Sequence, residues 1–124
     1  MEYLINLTDF QEDNVVVFVG IDKGNKFRKI TNIDIIEPFV KKITIIIPKN
    51  TRSINPSFLE GFFGNIIKRL GRVEFKNKVN FIGFDVERDL TETLYRIKFG
   101  IPSERVVRKY NQQEIEKMLS YIEK

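Results

Sequence analysis

Apolar runs separated by polar turns predict three strands along the chain. Residues 43–47 read Ile-Thr-Ile-Ile-Ile, which is typical of a strand buried on both faces, and Pro48 ends the run. β-branched and aromatic residues also predict strands over 15–19 and 79–84. Residues 2–10 alternate only weakly, so they predict either an edge strand or a short helix that enters the domain.

A helix over residues 56–70 is the strongest helical prediction. Its apolar residues recur every three or four positions and form one broad face: Phe58, Leu59, Phe62, Phe63, Ile66, Ile67 and Leu70. Asn55 is suited to cap this helix, and Pro56 fits its first position because no backbone N–H is needed there. Gly71 is a typical residue to end it.

Two more helices are predicted nearer the C-terminus. The first opens with Asp89 and Glu92 as a capping pair, stops at Gly100, and buries a stripe of Leu90, Leu94 and Ile97. Residues 105–110 predict a short extended segment or a loop. The last helix begins at Asn111 and has its own apolar stripe of Ile115, Met118, Leu119 and Ile122.

The segment between the first strands is less regular. Polar and glycine residues over 20–25 predict a turn. Apolar residues over 27–40 follow neither the helical nor the strand period consistently, and Pro38 argues against a long helix there.

Strands that alternate with helices predict an α/β fold. The 124 residues suffice for one domain with its own core, so we predict a single domain over 1–124. The helix at 56–70 would then be the right-handed crossover between the strands at 43–47 and 79–84.

The composition removes most catalytic chemistry. The chain has no histidine and no cysteine, so it lacks the commonest general base, thiol nucleophiles and thiolate ligands. We therefore predict no enzyme activity, no catalytic or metal-binding residues and no cofactor. Asp85, Glu87 and Asp89 suggest either a Mg²⁺ site or, more simply, a turn and a helix cap. No apolar run approaches the length of a membrane helix, and we expect a cytoplasmic protein.

The net charge of +4 has two interpretations. Basic residues occur in clusters at 26–29, 41–42, 68–72 and 76–78, which are either a solvated surface or a track for a nucleic-acid backbone. A small basic nucleic-acid-binding domain is therefore the alternative function.

Residues 24–83 resemble the STAS-like family, an uncharacterised branch related to anti-sigma-factor antagonists. The resemblance rests mainly on the apolar strand and on Asn-Pro-Ser-Phe-Leu-Glu-Gly-Phe-Phe-Gly at 55–64, which is similar to the stretch that opens a helix in that branch. It implies a mixed β-sheet with about three packed helices, and a non-catalytic regulatory module that binds another protein.

The resemblance also implies a partner and a switch. In the classical antagonists the partner is a kinase-type ATPase, and the phosphorylated serine follows an Asp at a helix start. Here Asn55 and Pro56 occupy those two positions, and Ser57 follows one residue later.

The candidate partner-binding residues lie in or near the loop 49–57: Lys49, Arg52, Asn55, Ser57 and Glu60. Ser57 is the candidate phosphorylation site, because a helix N-terminus favours a phosphate, but it is also suited simply to start a helix. Glu60 would contact a partner's cation or face solvent. The Phe side chains of the helix are expected in the core, and Gly61 and Gly64 suggest the close approach of another backbone.

Overall fold

Three parallel strands and the helices packed beside them form an α/β fold, as the sequence predicts. A computed structural model describes residues 1–10 and 17–101. The strands are β1 (Glu2–Asn6), β2 (Val17–Phe18), β3 (Lys42–Ile46), β4 (Ser53–Ile54) and β5 (Val79–Ile82). The helices are α1 (Ile21–Thr31), α2 (Ile33–Ile36), α3 (Pro56–Lys78) and α4 (Glu87–Phe99), and Leu7–Phe10 and Glu37–Phe39 form 3-10 turns.

The main sheet has the order β1-β3-β5, and β2 pairs separately with β4. Every strand pairing in the described part of the chain is parallel, whereas the family resemblance implied a mixed sheet. The weak alternation near the N-terminus is thus a strand, and α3 is the predicted connection between β3 and β5. Because the strand order advances in one direction, right-handed crossovers place α1 and α3 on the same face of the sheet.

The two faces of the sheet differ in burial. Ile5, Ile43 and Ile45 are fully buried on the helix side. On the other side, Leu4 and Ile82 keep 60% and 56% of their surface exposed. In β3 itself, Thr44 and Ile46 on that other side are half-buried, so among the described residues the strand is fully buried on the helix side only, and the predicted burial on both faces is met in part.

Phenylalanine rings form the centre of the core, as expected for the apolar face of α3. Phe62 is fully buried, stacks on Phe63 with ring centroids 4.1 Å apart, and lies 5.8 Å from Phe58. Phe58 in turn contacts Phe18 and Phe27, so the rings tie β2 and α1 to α3.

Helix α3 is interrupted at Gly71, where the sequence predicted its end. Gly71 has φ 80° and ψ 173°, a conformation that L side chains rarely adopt, and the helix axis kinks there. Residues 72–78, beyond the predicted end of the helix, continue as a second helical segment.

The turn predicted at 20–25 is wrong, because residues 21–31 form α1. Gly24 has a packing role in the middle of this helix. A side chain at Gly24 would overlap the carbonyl oxygen of Phe58, so its absence lets α1 and α3 touch backbone to backbone. Gly61 occupies the matching position on α3, as expected for a close approach, whereas Gly64 has room for a Cβ atom.

Helix α4 differs from the prediction at its start and agrees with it at its end. The helix begins at Glu87, two residues before the predicted cap Asp89, and the Asp85 carboxylate accepts a hydrogen bond of 3.0 Å from the Glu87 N–H. It ends at Gly100 in a left-handed conformation, as predicted. The predicted segment 105–110 and the last helix from Asn111 lie outside the described residues.

Candidate functional site

Asn55 holds the starts of two helices together. Its side-chain oxygen accepts hydrogen bonds from the N–H of Phe58 in α3, at 2.9 Å, and from the N–H of Gly20 just before α1, at 3.1 Å. Its own backbone N–H donates to the Phe18 carbonyl at 3.2 Å. The predicted capping role is confirmed, and these contacts give Asn55 a structural function whether or not it meets a partner.

The loop between β3 and β4, residues 48–52, carries the two basic candidates on a fixed backbone. The N–H of Thr51 donates to the carbonyl of Pro48 at 3.1 Å and closes a turn. Lys49 and Arg52 are exposed, and neither forms an ion pair within the part of the chain that the structure describes. The anchored turn therefore presents two positive charges to solvent. We call residues 48–52 the β3–β4 loop.

Ser57 lies under the surface. It retains only 2% of its accessible area, so a kinase would reach its hydroxyl only after the start of α3 had moved. Two other hydroxyl residues lie just before the helix: Thr51 is also buried, and Ser53 is half-buried in β4. Neither Ser57 nor Thr51 offers an exposed side chain in the folded protein.

Glu60 faces α4 instead of solvent. It is half-buried, and its Oε2 atom has no hydrogen-bond partner among residues 1–10 and 17–101. Desolvation raises the pKa of the Glu60 carboxyl above its usual range, and the charges of Arg96 and Lys68 partly oppose this increase. Glu60 therefore does not belong to the same exposed surface as the cations of the β3–β4 loop.

The acidic stretch after β5 does not gather into a metal site. In the described residues, no three His, Cys, Asp or Glu side chains come together in a way that would hold a metal ion. The Asp85 carboxylate accepts from the Glu87 N–H at the start of α4, as described above, and Glu87 pairs with Lys76 at 2.5 Å. Desolvation raises the pKa of Asp89, with Arg88 opposing and Glu92 and Asp85 adding to the increase.

A buried ion triad was missed by sequence reasoning. Glu37 is fully buried, and its carboxylate pairs with Arg69 and, at 3.1 Å, with Lys78. The Lys78 ammonium also donates to the Glu37 carbonyl at 2.8 Å. The triad ties the 3-10 turn to both segments of α3. No sequence pattern signals it, because the partners are more than 30 residues apart and the kink at Gly71 sets their geometry.

A second missed feature is a cavity of about 410 Å³ between α3 and α4, here called the α3–α4 cavity. Lys68 and Arg72, which lie on either side of the kink at Gly71 in α3, contribute to it together with Tyr95 and Lys98 of α4. The sequence contained one partial signal, a basic cluster beside the helix-ending Gly71. It gave no indication that α4 would lie opposite.

In comparisons with known proteins, no family model, no curated protein and no solved structure matches the chain. The described residues include no helix with both the length and the apolar character needed to cross a membrane.

Proposed function

We propose that the protein is a non-catalytic, cytoplasmic regulatory module that binds another protein through the β3–β4 loop. The observation that carries the proposal is the pair of exposed cations, Lys49 and Arg52, on a loop that contains a hydrogen-bonded turn and joins strands β3 and β4, each paired in a sheet. A loop restrained in this way loses less entropy on binding than an unrestrained one, which favours affinity. The charge of the loop calls for an acidic surface on the partner.

The STAS-like resemblance supports the same surface and suggests a kinase-type ATPase as the partner. The proposal does not depend on phosphorylation, because Ser57 is buried. If Ser57 is modified, the phosphate requires the first turn of α3 to open, and the switch would then act by changing the fold around Asn55. Phosphorylation of this serine would be slow for the folded protein.

Nucleic-acid binding is the alternative, and the ion pairs of the structure weaken it. Arg69 and Lys78 both form ion pairs with Glu37. Lys76 forms one with Glu87, and the Nε atom of Arg28 lies 3.7 Å from the Oδ2 atom of Asp34. Members of three of the basic clusters are therefore partly neutralised by carboxylates within the protein. A nucleic-acid backbone requires a continuous row of available cations.

Affinity capture followed by mass spectrometry tests the proposal. The double variant Lys49→Glu/Arg52→Glu reverses the charge of the loop, whereas Lys29→Glu/Lys41→Glu makes the same charge change at exposed lysines elsewhere. We expect the loop variant to lose a protein that the wild type and the control both retain. Equal recovery of every partner by all three forms would remove the β3–β4 loop from consideration.

Fluorescence anisotropy with short DNA and RNA separates the alternative. Phosphate contacts give an affinity that falls steeply with salt, so binding at low salt with such a slope would favour a nucleic-acid partner. The protein-binding proposal predicts no saturable binding at low salt.

Ser57 is tested separately by comparing Ser57→Asp with Ser57→Ala. Because the site is buried, we expect Ser57→Asp to lower the free energy of unfolding by roughly 1–3 kcal/mol, since a charge loses its water there. The favourable helix dipole, about 0.3–1 kcal/mol, offsets only part of this cost. Thermal melting that shows Ser57→Asp to be the more stable variant would instead place the side chain within reach of solvent and revive the phosphorylation switch.

A further inference from the structure

The α3–α4 cavity is of a size that small molecules fill. Its volume of about 410 Å³ falls in the range of roughly 300–1,000 Å³ that is typical of ligand pockets. Ile67 and Leu94, both buried, contribute apolar surface, and the partly exposed Ile97 extends it. The cavity therefore has an apolar wall that a hydrocarbon or aromatic group would cover.

The kink in α3 lies at this cavity. Gly71 is one of the lining residues, and its positive φ turns the chain so that residues 72–78 leave the axis of the first segment. A Cβ atom at Gly71 would meet nothing within 4 Å, so the glycine is there for its conformation and not for close packing. The space between α3 and α4 thus follows from a specific backbone feature.

Positive charge surrounds the cavity. Lys68, Arg72 and Lys98 all line it, and within the described residues none of them pairs with a carboxylate at salt-bridge distance. Glu60 attracts Lys68 from a distance, as its effect on the Glu60 pKa shows, but Glu60 does not line the cavity. Three cations with no neutralising group in the cavity wall leave an excess of positive charge there.

The aromatic residue in the wall helps to position one of these cations. The Arg72 guanidinium lies over the Tyr95 ring, 5.6 Å from its centroid. A planar guanidinium held against a ring is suited to bind a carboxylate or phosphate through two hydrogen bonds.

We propose that the α3–α4 cavity binds a small organic anion with an apolar body, whose acidic group meets Arg72 while its body lies against Ile67 and Leu94. The acidic group is a carboxylate or a phosphate monoester, since both suit the same cations. This site is separate from the β3–β4 loop, and the proposal holds whether or not that loop binds a protein.

NMR titration of the full-length, ¹⁵N-labelled protein tests the proposal with three probes of equal chain length: octanoate, octyl phosphate and 1-octanol. We expect saturable shifts at the amides of Gly71, Arg72 and Tyr95 with the two anions. The comparison between octanoate and octyl phosphate identifies the preferred acidic group. The neutral octanol should bind about tenfold more weakly than the better anion, because it lacks a charge-assisted hydrogen bond to Arg72.

Arg72→Gln is the matched variant, because Arg72 is exposed and its removal leaves the core intact, and Lys41→Gln makes the same charge change away from the cavity. We expect Arg72→Gln to weaken anion binding about tenfold, the value of one such hydrogen bond, and Lys41→Gln to leave it unchanged. The proposal is overturned by shifts centred elsewhere, by equal affinity for octanol, by equal loss in both variants, or by no saturation at millimolar probe.

Discussion

Helix α3 packs against α1 on one side and α4 on the other, and the two interfaces are built differently. Toward α1, Gly24 and Gly61 bring the two backbones into contact, with the Gly61 Cα only 2.9 Å from where a Gly24 Cβ atom would lie. Toward α4, side chains make the described polar links: the Lys76 ammonium donates to the Glu87 carboxylate at 2.5 Å, and the Thr93 hydroxyl donates to the Pro56 carbonyl at 3.2 Å. Farther along the same interface, the α3–α4 cavity opens.

The difference shows how one helix serves two purposes. The contact with α1 is closely packed and leaves no room for water, so its role is stability. The aromatic rings on this side continue the packing into the core. The α4 side leaves a volume with a charged rim, so it has room for a ligand. Substitutions on the two sides should therefore differ in kind: loss of folding on the α1 side and modest, adjustable changes on the α4 side.

Truncation of a core ring gives the largest expected effect. Phe62→Ala should lower the free energy of unfolding by about 3–5 kcal/mol, from lost apolar transfer energy and the cavity left behind. Phe62 is fully buried between Phe27 and Phe63, whereas Phe99 at the end of α4 is 49% exposed. Urea unfolding should thus show a much smaller loss for Phe99→Ala. Similar losses for both variants would mean that the two sides of the molecule are equally packed.

The helix crossing itself is tested by adding one carbon atom. In Gly61→Ala the new Cβ would overlap the Ile21 carbonyl oxygen and lie 2.9 Å from the Asn25 nitrogen. We expect a loss near or above the upper end of the roughly 1–3 kcal/mol typical of overpacking, because a backbone cannot move aside as a side chain does.

Gly64→Ala is the matched control for that crossing. Its Cβ would meet only the Glu60 side chain, at an ordinary 3.8 Å. An alanine in a helix interior is favoured over glycine by about 0.5–1 kcal/mol, so this variant should be more stable than the wild type. Equal destabilisation by the two alanines in thermal melting would show that α1 and α3 do not meet at Gly61.

Removal of the shared cap should have an intermediate effect. Asn55→Ala leaves the N–H groups of Phe58 and Gly20 without their acceptor, and we expect a loss of about 1–2 kcal/mol, at the upper part of the range for N-caps. Asn55→Asp retains an acceptor oxygen and should be close to wild type in chemical denaturation. If Asn55→Asp is as unstable as Asn55→Ala, the cap does not depend on that oxygen.

Local patterns predicted those features of the fold that depend on neighbours in sequence. The period of apolar residues identified α3, and Asn55 and Gly71 marked its cap and its interruption. The pattern failed at Gly24, where a glycine chosen for contact with a distant helix resembled a turn. It also failed for residues 72–78, because a glycine that ends one helical segment does not reveal that another begins.

The candidate site was only partly predictable for the same reason. Exposure of Lys49 and Arg52 follows from their place in a polar loop, so the sequence indicated it. Burial of Ser57 and the turn of Glu60 toward Arg96 depend on which side of α3 meets α4. The α3–α4 cavity depends on that packing and on the direction of a kink, neither of which has a signal in the sequence.

The smallest expected effect is a pH dependence from Glu60, on the α4 side. Desolvation raises the pKa of this carboxyl in the folded protein, against the opposing charges of Arg96 and Lys68, so the folded state holds its proton to higher pH than the unfolded state does. Stability linked to Glu60 is therefore greatest below the unfolded pKa of about 4.3 and falls as pH rises through the raised pKa of the folded state.

Glu60→Gln removes the cost of burying this charge. At neutral pH we expect the variant to exceed the wild type by less than about 1 kcal/mol, because solvent screens a half-buried charge. The difference in unfolding free energy between the two proteins, measured by urea denaturation from acidic to neutral pH, should grow in favour of Glu60→Gln and then level off. A difference that shrinks as pH rises would mean that the attraction of Arg96 and Lys68 outweighs the desolvation, and that Glu60 stabilises the contact between α3 and α4 as an ion.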